Sequence, residues 1–276
     1  MRVALAQMTS GIDPEANAAR LEEAVGQAAD GGAEMLFTPE MSGLLDRDRA
    51  RGAAHLHTEN DDPVLARVCA AAKRHRILVG LGSLAVRAED DPSRLANRSF
   101  VIAPDGRIVA RYDKIHLFDV DLPTGESWRE SAAYRPGSGG VVVQGGAEVL
   151  GLSICYDVRF PALYQSLSAA GATILCVPSA FTVPTGRAHW HTLLRARAIE
   201  NGCWVIAAAQ TGRHEDGRET FGHSLVVDPW GDVILDMGSN SGIGFAEIAA
   251  DRVAEARGRV PVLAHRRAIG AVEVKR

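Results

Sequence analysis

Val149-Leu-Gly-Leu-Ser-Ile-Cys-Tyr-Asp-Val-Arg-Phe-Pro161 runs from an apolar segment through a polar turn into the start of a helix. Val149–Ile154 is apolar and short enough for a strand of a covered sheet, and Phe160-Pro161 opens a helical pattern reaching about Ala170. Gly171-Ala-Thr-Ile-Leu-Cys-Val-Pro-Ser179 then reads as a second strand. The same order stands at the N-terminus: Val3-Ala-Leu-Ala-Gln7, an amphipathic helix from Pro14 to about Asp30, and Gly32-Ala-Glu-Met-Leu-Phe-Thr-Pro-Glu40. In both copies Gly-Ala closes the helix, where a left-handed C-cap suits glycine, and proline ends the second strand. A βαβ unit used twice predicts an α/β fold.

Outward from these units, a helix is predicted over Asp62–His75 and strands over Ile77–Val86, Arg98–Ala103 and Ile108–Tyr112, the last two joined at Pro104-Asp-Gly106. After Ser179 the pattern predicts a helix His189–Asn201, a strand Trp204–Ala209 and a charged loop Gly212–Glu219. A hairpin of Ser224–Asp228 and Val233–Asp236 turns at Pro229-Trp-Gly-Asp232, and a final strand lies near Gly244–Ile248 before a short helix and a polar tail. The sum is one α/β domain over residues 1–276, an αββα sandwich of two mixed sheets flanked by helices. About the last 15 residues form its tail. No Pro-, Gly- or Ser-rich linker divides it.

Composition narrows the function. The hydrophobic fraction of 46% and charged fraction of 23% are those of a soluble globular protein. A net charge of −4 leaves no footprint for nucleic acid or a membrane surface, and no apolar run approaches the length of a membrane span. Met1-Arg-Val-Ala-Leu-Ala-Gln7 enters a strand at once, without signal-peptide organisation. Cys69, Cys155, Cys176 and Cys203 are far apart, which predicts reduced thiols, no zinc site and a cytoplasmic setting.

Cys155 stands at a strand-to-helix junction, where the backbone N–H groups of the next turn can lower a thiol pKa and bind an oxyanion. Its plainer reading is a small buried hydrophobe. Aligning the two βαβ units on Gly-Ala and Pro sets Glu40 opposite Ser179, both at C-terminal strand ends, the rim where open α/β sheets place ligands. Glu40 is otherwise a loop or N-cap carboxylate. Lys114, in Arg111-Tyr-Asp-Lys-Ile-His-Leu-Phe118, sits at an amphipathic strand end, and beside a thiol and a carboxylate it favours the thiolate and holds oxyanion charge. Taken alone it is a solvated edge lysine. Glu130, before the Pro136-Gly turn, has plain surface charge as its alternative.

Glu40 in Phe-Thr-Pro-Glu, Lys114 in Tyr-Asp-Lys-Ile-His-Leu-Phe and Cys155 in Ile-Cys-Tyr-Asp-Val-Arg-Phe-Pro resemble, in order, spacing and flanks, the three signatures of the nitrilase superfamily of carbon–nitrogen hydrolases. The resemblance implies Cys155 as nucleophile, Glu40 as general base and acid, and Lys114 as oxyanion stabiliser, helped by the Tyr156 backbone N–H. It implies that Glu130, six residues before Pro136, orients the lysine and positions substrate. It further implies a thioester intermediate, a small-molecule amide substrate, no cofactor or metal, and a homodimer or higher homo-oligomer.

Phe118-Asp-Val-Asp-Leu-Pro123, Ser179-Ala-Phe181, Thr185-Gly-Arg-Ala-His-Trp190, Leu194-Arg-Ala-Arg-Ala-Ile-Glu200, Ala208-Ala-Gln-Thr-Gly-Arg-His214, Gly222 to Gly231 and His265-Arg-Arg267 are similar to the branch of deaminated glutathione amidases and ω-amidases. Thr211 departs from that pattern, where cysteine is expected. The branch implies cleavage of deaminated glutathione to 2-oxoglutarate and cysteinylglycine. The alternatives are ω-amidase action on 2-oxoglutaramate, hydrolysis of N-carbamoyl amino acids or nitriles, and a catalytically idle interaction protein. Substrate-binding candidates are Arg159, Ser179, Phe181, Thr182, Thr185 and His189; Arg159 either pairs with Asp157 or binds a substrate carboxylate.

Rival readings are weaker. A papain-like pair needs His116 or His189 beside Cys155, yet no local signature of that class is present. His189 and His191 at i and i+2 face different sides of a helix, which argues against a shared metal. Gly80-Leu-Gly82 lacks the third glycine of a dinucleotide fingerprint.

Overall fold

The computed structural model describes residues 1–88, 91, 93–121, 125 and 127–275. Its N-terminal part forms β1 (Arg2–Gln7), α1 (Pro14–Asp30), β2 (Met35–Phe37), α2 (Arg49–Gly52), α3 (Pro63–His75), β3 (Leu78–Arg87), β4 (Leu95–Ile102) and β5 (Ile108–Asp113). The middle carries β6 (Asp119–Asp121), β7 (Ser127–Arg129), β8 (Val141–Gly145), β9 (Glu148–Leu152), α4 (Pro161–Ala169), β10 (Ile174–Cys176), α5 (Val183–Asn201) and β11 (Trp204–Ala207). The remainder is β12 (Thr211–Arg213), β13 (Glu219–Phe221), β14 (Leu225–Val227), β15 (Val233–Asp236), β16 (Gly242–Glu247), α6 (Asp251–Arg259) and α7 (Val262–His265).

Two six-stranded sheets result, ordered β16-β1-β2-β3-β4-β5 and β15-β14-β11-β10-β9-β8. In the first, β1, β2 and β3 are parallel; in the second, β9, β10 and β11 are. Each trio has one antiparallel neighbour on its first strand and two antiparallel strands beyond its third. The internal repeat is therefore six strands deep, further than the two βαβ units alone predict.

Period-two alternation along the first sheet sorts its apolar residues between two cores. Val3, Leu5, Met35, Phe37, Leu78 and Val101 join Leu150, Leu152 and Ile206 of the second sheet. Ala4, Ala6, Leu36, Val79 and Phe100 join Leu21 and Val25 of α1 and Val68 of α3. The inter-sheet cluster continues to Leu163 and Tyr164 of α4 and Leu194 and Ala198 of α5, giving αββα layers. Among the described residues no helix is long and apolar enough to cross a membrane.

Three elements differ from expectation. Helix α5 begins at Val183, not His189: Pro184 is tolerated in a first turn, and Gly186 lets the helix pass Phe221, whose ring would lie 2.2 Å from an added Cβ. Strand β8 forms in the glycine-rich segment before Val149 by pairing antiparallel with β9. The charged loop Gly212–Glu219 is bounded by the paired strands β12 and β13. Leu122, Pro123 and Glu126 lie outside the described residues.

Candidate active site

Glu40 is delivered by Thr38-Pro39, just past β2. The Thr38 N–H donates to the Gly80 carbonyl and the Gly82 N–H to Thr38 Oγ1, each at 3.0 Å. A Cβ at Gly82 would lie 2.1 Å from the Thr38 carbonyl oxygen, so only glycine permits this approach. Gly80 and Gly82 thus seat Glu40 and have no part in a nucleotide loop.

Lys114 follows β5 directly. Its N–H donates to the Asn97 carbonyl at 2.9 Å and its carbonyl accepts from the Gly137 N–H at 2.8 Å. The Pro136-Gly turn packs so closely that a Cβ at residue 137 would stand 2.0 Å from the Asp113 carbonyl oxygen.

Cys155 stands three residues past the end of β9, at the head of a 3₁₀ turn Cys155–Arg159, with φ +49°. A non-glycine residue there is strained, and it persists because its surroundings over-determine it. The Cys155 N–H donates to the Pro178 carbonyl at 2.8 Å. Asp157, wholly buried, ties the turn together. Its Oδ2 accepts from the Ile154 N–H at 2.9 Å and the Tyr112 hydroxyl at 2.7 Å, and its Oδ1 from the His116 N–H at 3.0 Å. His116 Nδ1 is 2.7 Å from the same Oδ1 and its ring stacks on Phe160, so His116 is a structural partner of the turn.

Glu40, Lys114, Glu130 and Cys155 converge on one cavity of about 730 Å³. Lys114 Nζ donates to Glu40 Oε1 at 2.8 Å and to Glu130 Oε2 and Oε1 at 2.9 and 3.2 Å. Glu40 Oε2 accepts from the Ala180 N–H at 3.0 Å, and Glu130 Oε2 from the Phe118 N–H at 2.6 Å. Asn97 Nδ2 spans both carboxylates, 2.9 Å from Glu40 Oε1 and 3.1 Å from Glu130 Oε1, while its own Oδ1 is buried without a partner.

Burial is the largest influence on Lys114 and opposes its charge, but Glu130, Glu40 and Cys155 outweigh it and hold its pKa well above the ordinary lysine value. The Cys155 thiol moves the opposite way from expectation. Burial first, then the Glu40 charge, push its pKa well above the usual thiol value, against the lowering by Lys114 and the Ala180 amide. The resting group is a protonated thiol facing a carboxylate, so nucleophilicity requires a base.

Tyr156, Arg159, Phe181, Thr182 and Thr185 also line the cavity. The Tyr156 N–H has no backbone acceptor among the described residues. Arg159 does not pair with Asp157. Its guanidinium lies 5.8 Å from the Tyr156 ring centroid and 5.4 Å from that of Phe181, with Nη1 3.3 Å from His189 Nδ1. His189 is exposed on α5 and reaches this arginine instead of the cavity. Ser179 is wholly buried and donates to the Val177 carbonyl at 3.1 Å; its β-bridge to Ala209 turns the side chain inward and leaves the next amide, Ala180, to face the site. Thr211 is buried away from the cavity, donating to the Ser239 carbonyl at 2.7 Å. Asn97, Asp157 and the Ala180 amide are site residues that sequence patterning does not single out.

The sequence profile described as carbon–nitrogen hydrolase matches residues 2–258. A deaminated glutathione amidase of Yersinia enterocolitica is 39% identical over 271 residues, 98% of this chain and 94% of its own. The crystal structure of the Caenorhabditis elegans NitFhit protein superposes with a TM-score of 0.89 at 39% identity, over 96% of this chain and 65% of that one. This chain therefore spans about two-thirds of the NitFhit chain. An amidase variant from Nesterenkonia sp. AN1, bearing the Michael adduct of acrylamide at its active-site cysteine, superposes at 0.78 with 28% identity, over 95% of this chain and 98% of that one. With its αββα layers and a thiol, a carboxylate and an ammonium group in one cavity, the chain belongs to the carbon–nitrogen hydrolase family.

Proposed function

We propose that this enzyme cleaves deaminated glutathione to 2-oxoglutarate and cysteinylglycine through a thioester on Cys155. The observation that carries the chemistry is the convergence of Cys155, Glu40 and Lys114 on one cavity, with Lys114 Nζ 2.8 Å from Glu40 Oε1. Glu40 takes the Cys155 proton as sulfur bonds to the amide carbon. The carbonyl oxygen gains negative charge, which Lys114 Nζ and the Tyr156 N–H receive. Glu40 gives its proton to the departing amine as the C–N bond breaks. It then takes a proton from the water that attacks the thioester and gives that proton to the Cys155 sulfur as the C–S bond breaks, which restores both thiol and carboxylate. Glu130 and Asn97 position Lys114 and Glu40 throughout.

The substrate class rests on the named relatives and on the cavity wall. Arg47, Arg49, Arg87 and Arg159 line it, and among the described residues no carboxylate pairs with any of them. A substrate with carboxylates at both ends suits such a wall, because guanidinium groups bind carboxylates in a two-pronged fork. The four free cysteines suit a reducing, cytoplasmic compartment. Product analysis tests the substrate. With deaminated glutathione, thiol dipeptide and 2-oxoglutarate should appear in equal amounts without ammonia. Turnover of 2-oxoglutaramate with release of ammonia, and none of deaminated glutathione, would overturn the assignment.

A further inference from the structure

We infer that His191, His223 and Asp236 form a binding site for a divalent metal ion of the zinc type, on the outside of the second sheet and apart from the catalytic cavity. His191 lies on α5, His223 between β13 and β14, and Asp236 at the end of β15. One ligand atom from each lies within 4.8 Å of the other two. His191 Nε2 is 2.9 Å from Asp236 Oδ2, and His223 Nδ1 is 3.1 Å from the same oxygen and 2.9 Å from Oδ1. Two imidazole nitrogens from different elements thus converge on one carboxylate.

The distances suit coordination. Zinc–nitrogen bonds of about 2.0–2.1 Å in a tetrahedron put ligand atoms about 3.3 Å apart. Both nitrogen-to-carboxylate separations are already near this value. Only the two imidazoles need to approach, His191 from a partly exposed position on α5 toward His223, which the Phe221 stack holds in place.

The supporting contacts are in place too. His223 has φ +55°, rare for a non-glycine residue, and its backbone is held on both sides. Its N–H donates to the Gly238 carbonyl at 2.6 Å, and its carbonyl accepts from the buried Trp190 indole at 2.7 Å. The Phe221 ring stacks on the His223 ring with centroids 4.4 Å apart, which limits its rotation. The Gly238 N–H donates to Asp236 Oδ1 at 2.9 Å, fixing the carboxylate with Oδ2 toward the two histidines. Such outer contacts orient ligands before a metal arrives. Two imidazoles and one carboxylate are a zinc ligand set, with the fourth position left to water.

A shared ion for His189 and His191 is excluded by their helix positions; the partners of His191 come instead from a loop and a strand distant in sequence. A bound ion would fasten α5, whose first turn carries Thr185 into the catalytic cavity wall, to the β14–β15 hairpin.

The full chain carrying Cys155→Ser, which removes the cavity thiol as a competing ligand, is titrated with zinc chloride in a calorimeter. One zinc should bind per chain. Adding His191→Ala or His223→Ala should weaken binding by at least about 10-fold, whereas His191→Cys, which supplies another zinc ligand, should retain it. Zinc should raise the melting temperature of the Cys155→Ser chain and leave that of the His191→Ala chain unchanged. Failure of the Cys155→Ser chain to bind zinc, or an affinity in either alanine variant equal to that of the Cys155→Ser chain, would overturn the proposal.

Discussion

Lys114 Nζ lies 2.8 Å from Glu40 Oε1, with both side chains out of solvent at 2% and 6% exposure. The pair is not symmetric: deleting Lys114 leaves the buried Glu40 and Glu130 charges unmatched, at a cost of about 3–5 kcal/mol, whereas deleting Glu40 leaves Lys114 paired with Glu130. Lys114→Met strands two carboxylates, Glu40 and Glu130, and is predicted to lower both stability and activity. Glu40→Gln keeps the shape and the Asn97 environment, so it should fold while turnover falls on the order of 10²–10⁴-fold. Chemical denaturation and single-turnover kinetics on both variants check the pairing; equal loss of stability in the two would contradict it.

Asn97 bridges the two carboxylates with a single amide nitrogen. Asn97→Leu should lower kcat by roughly 10-fold or more with little change in KM, because the groups drift without losing substrate contacts. Asn97→Asp brings a third negative charge against Glu40 and Glu130 and should be worse. Steady-state kinetics decide this, and full activity in Asn97→Leu would remove the bridging role.

The turn at Cys155 depends on Asp157. Asp157→Ala leaves the Tyr112 hydroxyl and the Ile154 and His116 N–H groups unsatisfied in the interior, a loss of about 3 kcal/mol or more. Tyr112→Phe removes one donor and keeps the rest, so its loss should be nearer 1–2 kcal/mol, of the order of one hydrogen bond to a charged group. Urea unfolding of the pair gives the ranking directly.

The raised thiol pKa has two consequences. Below the ordinary thiol value of 9.0 the folded and unfolded chains both keep this proton. Above it the unfolded chain releases the proton while the folded chain retains it, so stability falls as pH rises. Lys114, also raised, adds a second decline above its ordinary value of 10.5. Melting curves from pH 7 to 10.5 should show the loss beginning near 9, and Cys155→Ala should abolish the part that begins there. Alkylation of Cys155 by iodoacetamide should be slow at pH 7 and still climbing past pH 9.

Much of the fold and part of the site are legible in the sequence, for reasons that differ by residue. The βαβ repeat was legible because strand and helix periods are local, and alignment of its copies put Glu40 on the rim. It also suggests Ser179, whose side chain turns to the Val177 carbonyl, because equivalence of backbone position does not carry over to side-chain direction. Arg159 was visible as a charge beside the nucleophile, but its place between Tyr156 and Phe181 depends on α5 arriving alongside. Asn97 has no sequence signature: one amide in a strand gains meaning only when β2, β5 and the Glu130 turn surround it. Lys114 was expected to favour a thiolate, whereas burial and Glu40 outweigh it, a balance set by three-dimensional packing.

Acid quench during turnover, followed by intact-protein and peptide mass spectrometry, shows whether Cys155 carries the acyl group. With deaminated glutathione as substrate, a 2-oxoglutaryl thioester should appear on the peptide containing Cys155. It should be absent in Cys155→Ala, which should also be inactive. Turnover by Cys155→Ala at the parent rate, or an acyl group carried on another residue, would rule out Cys155 as the nucleophile.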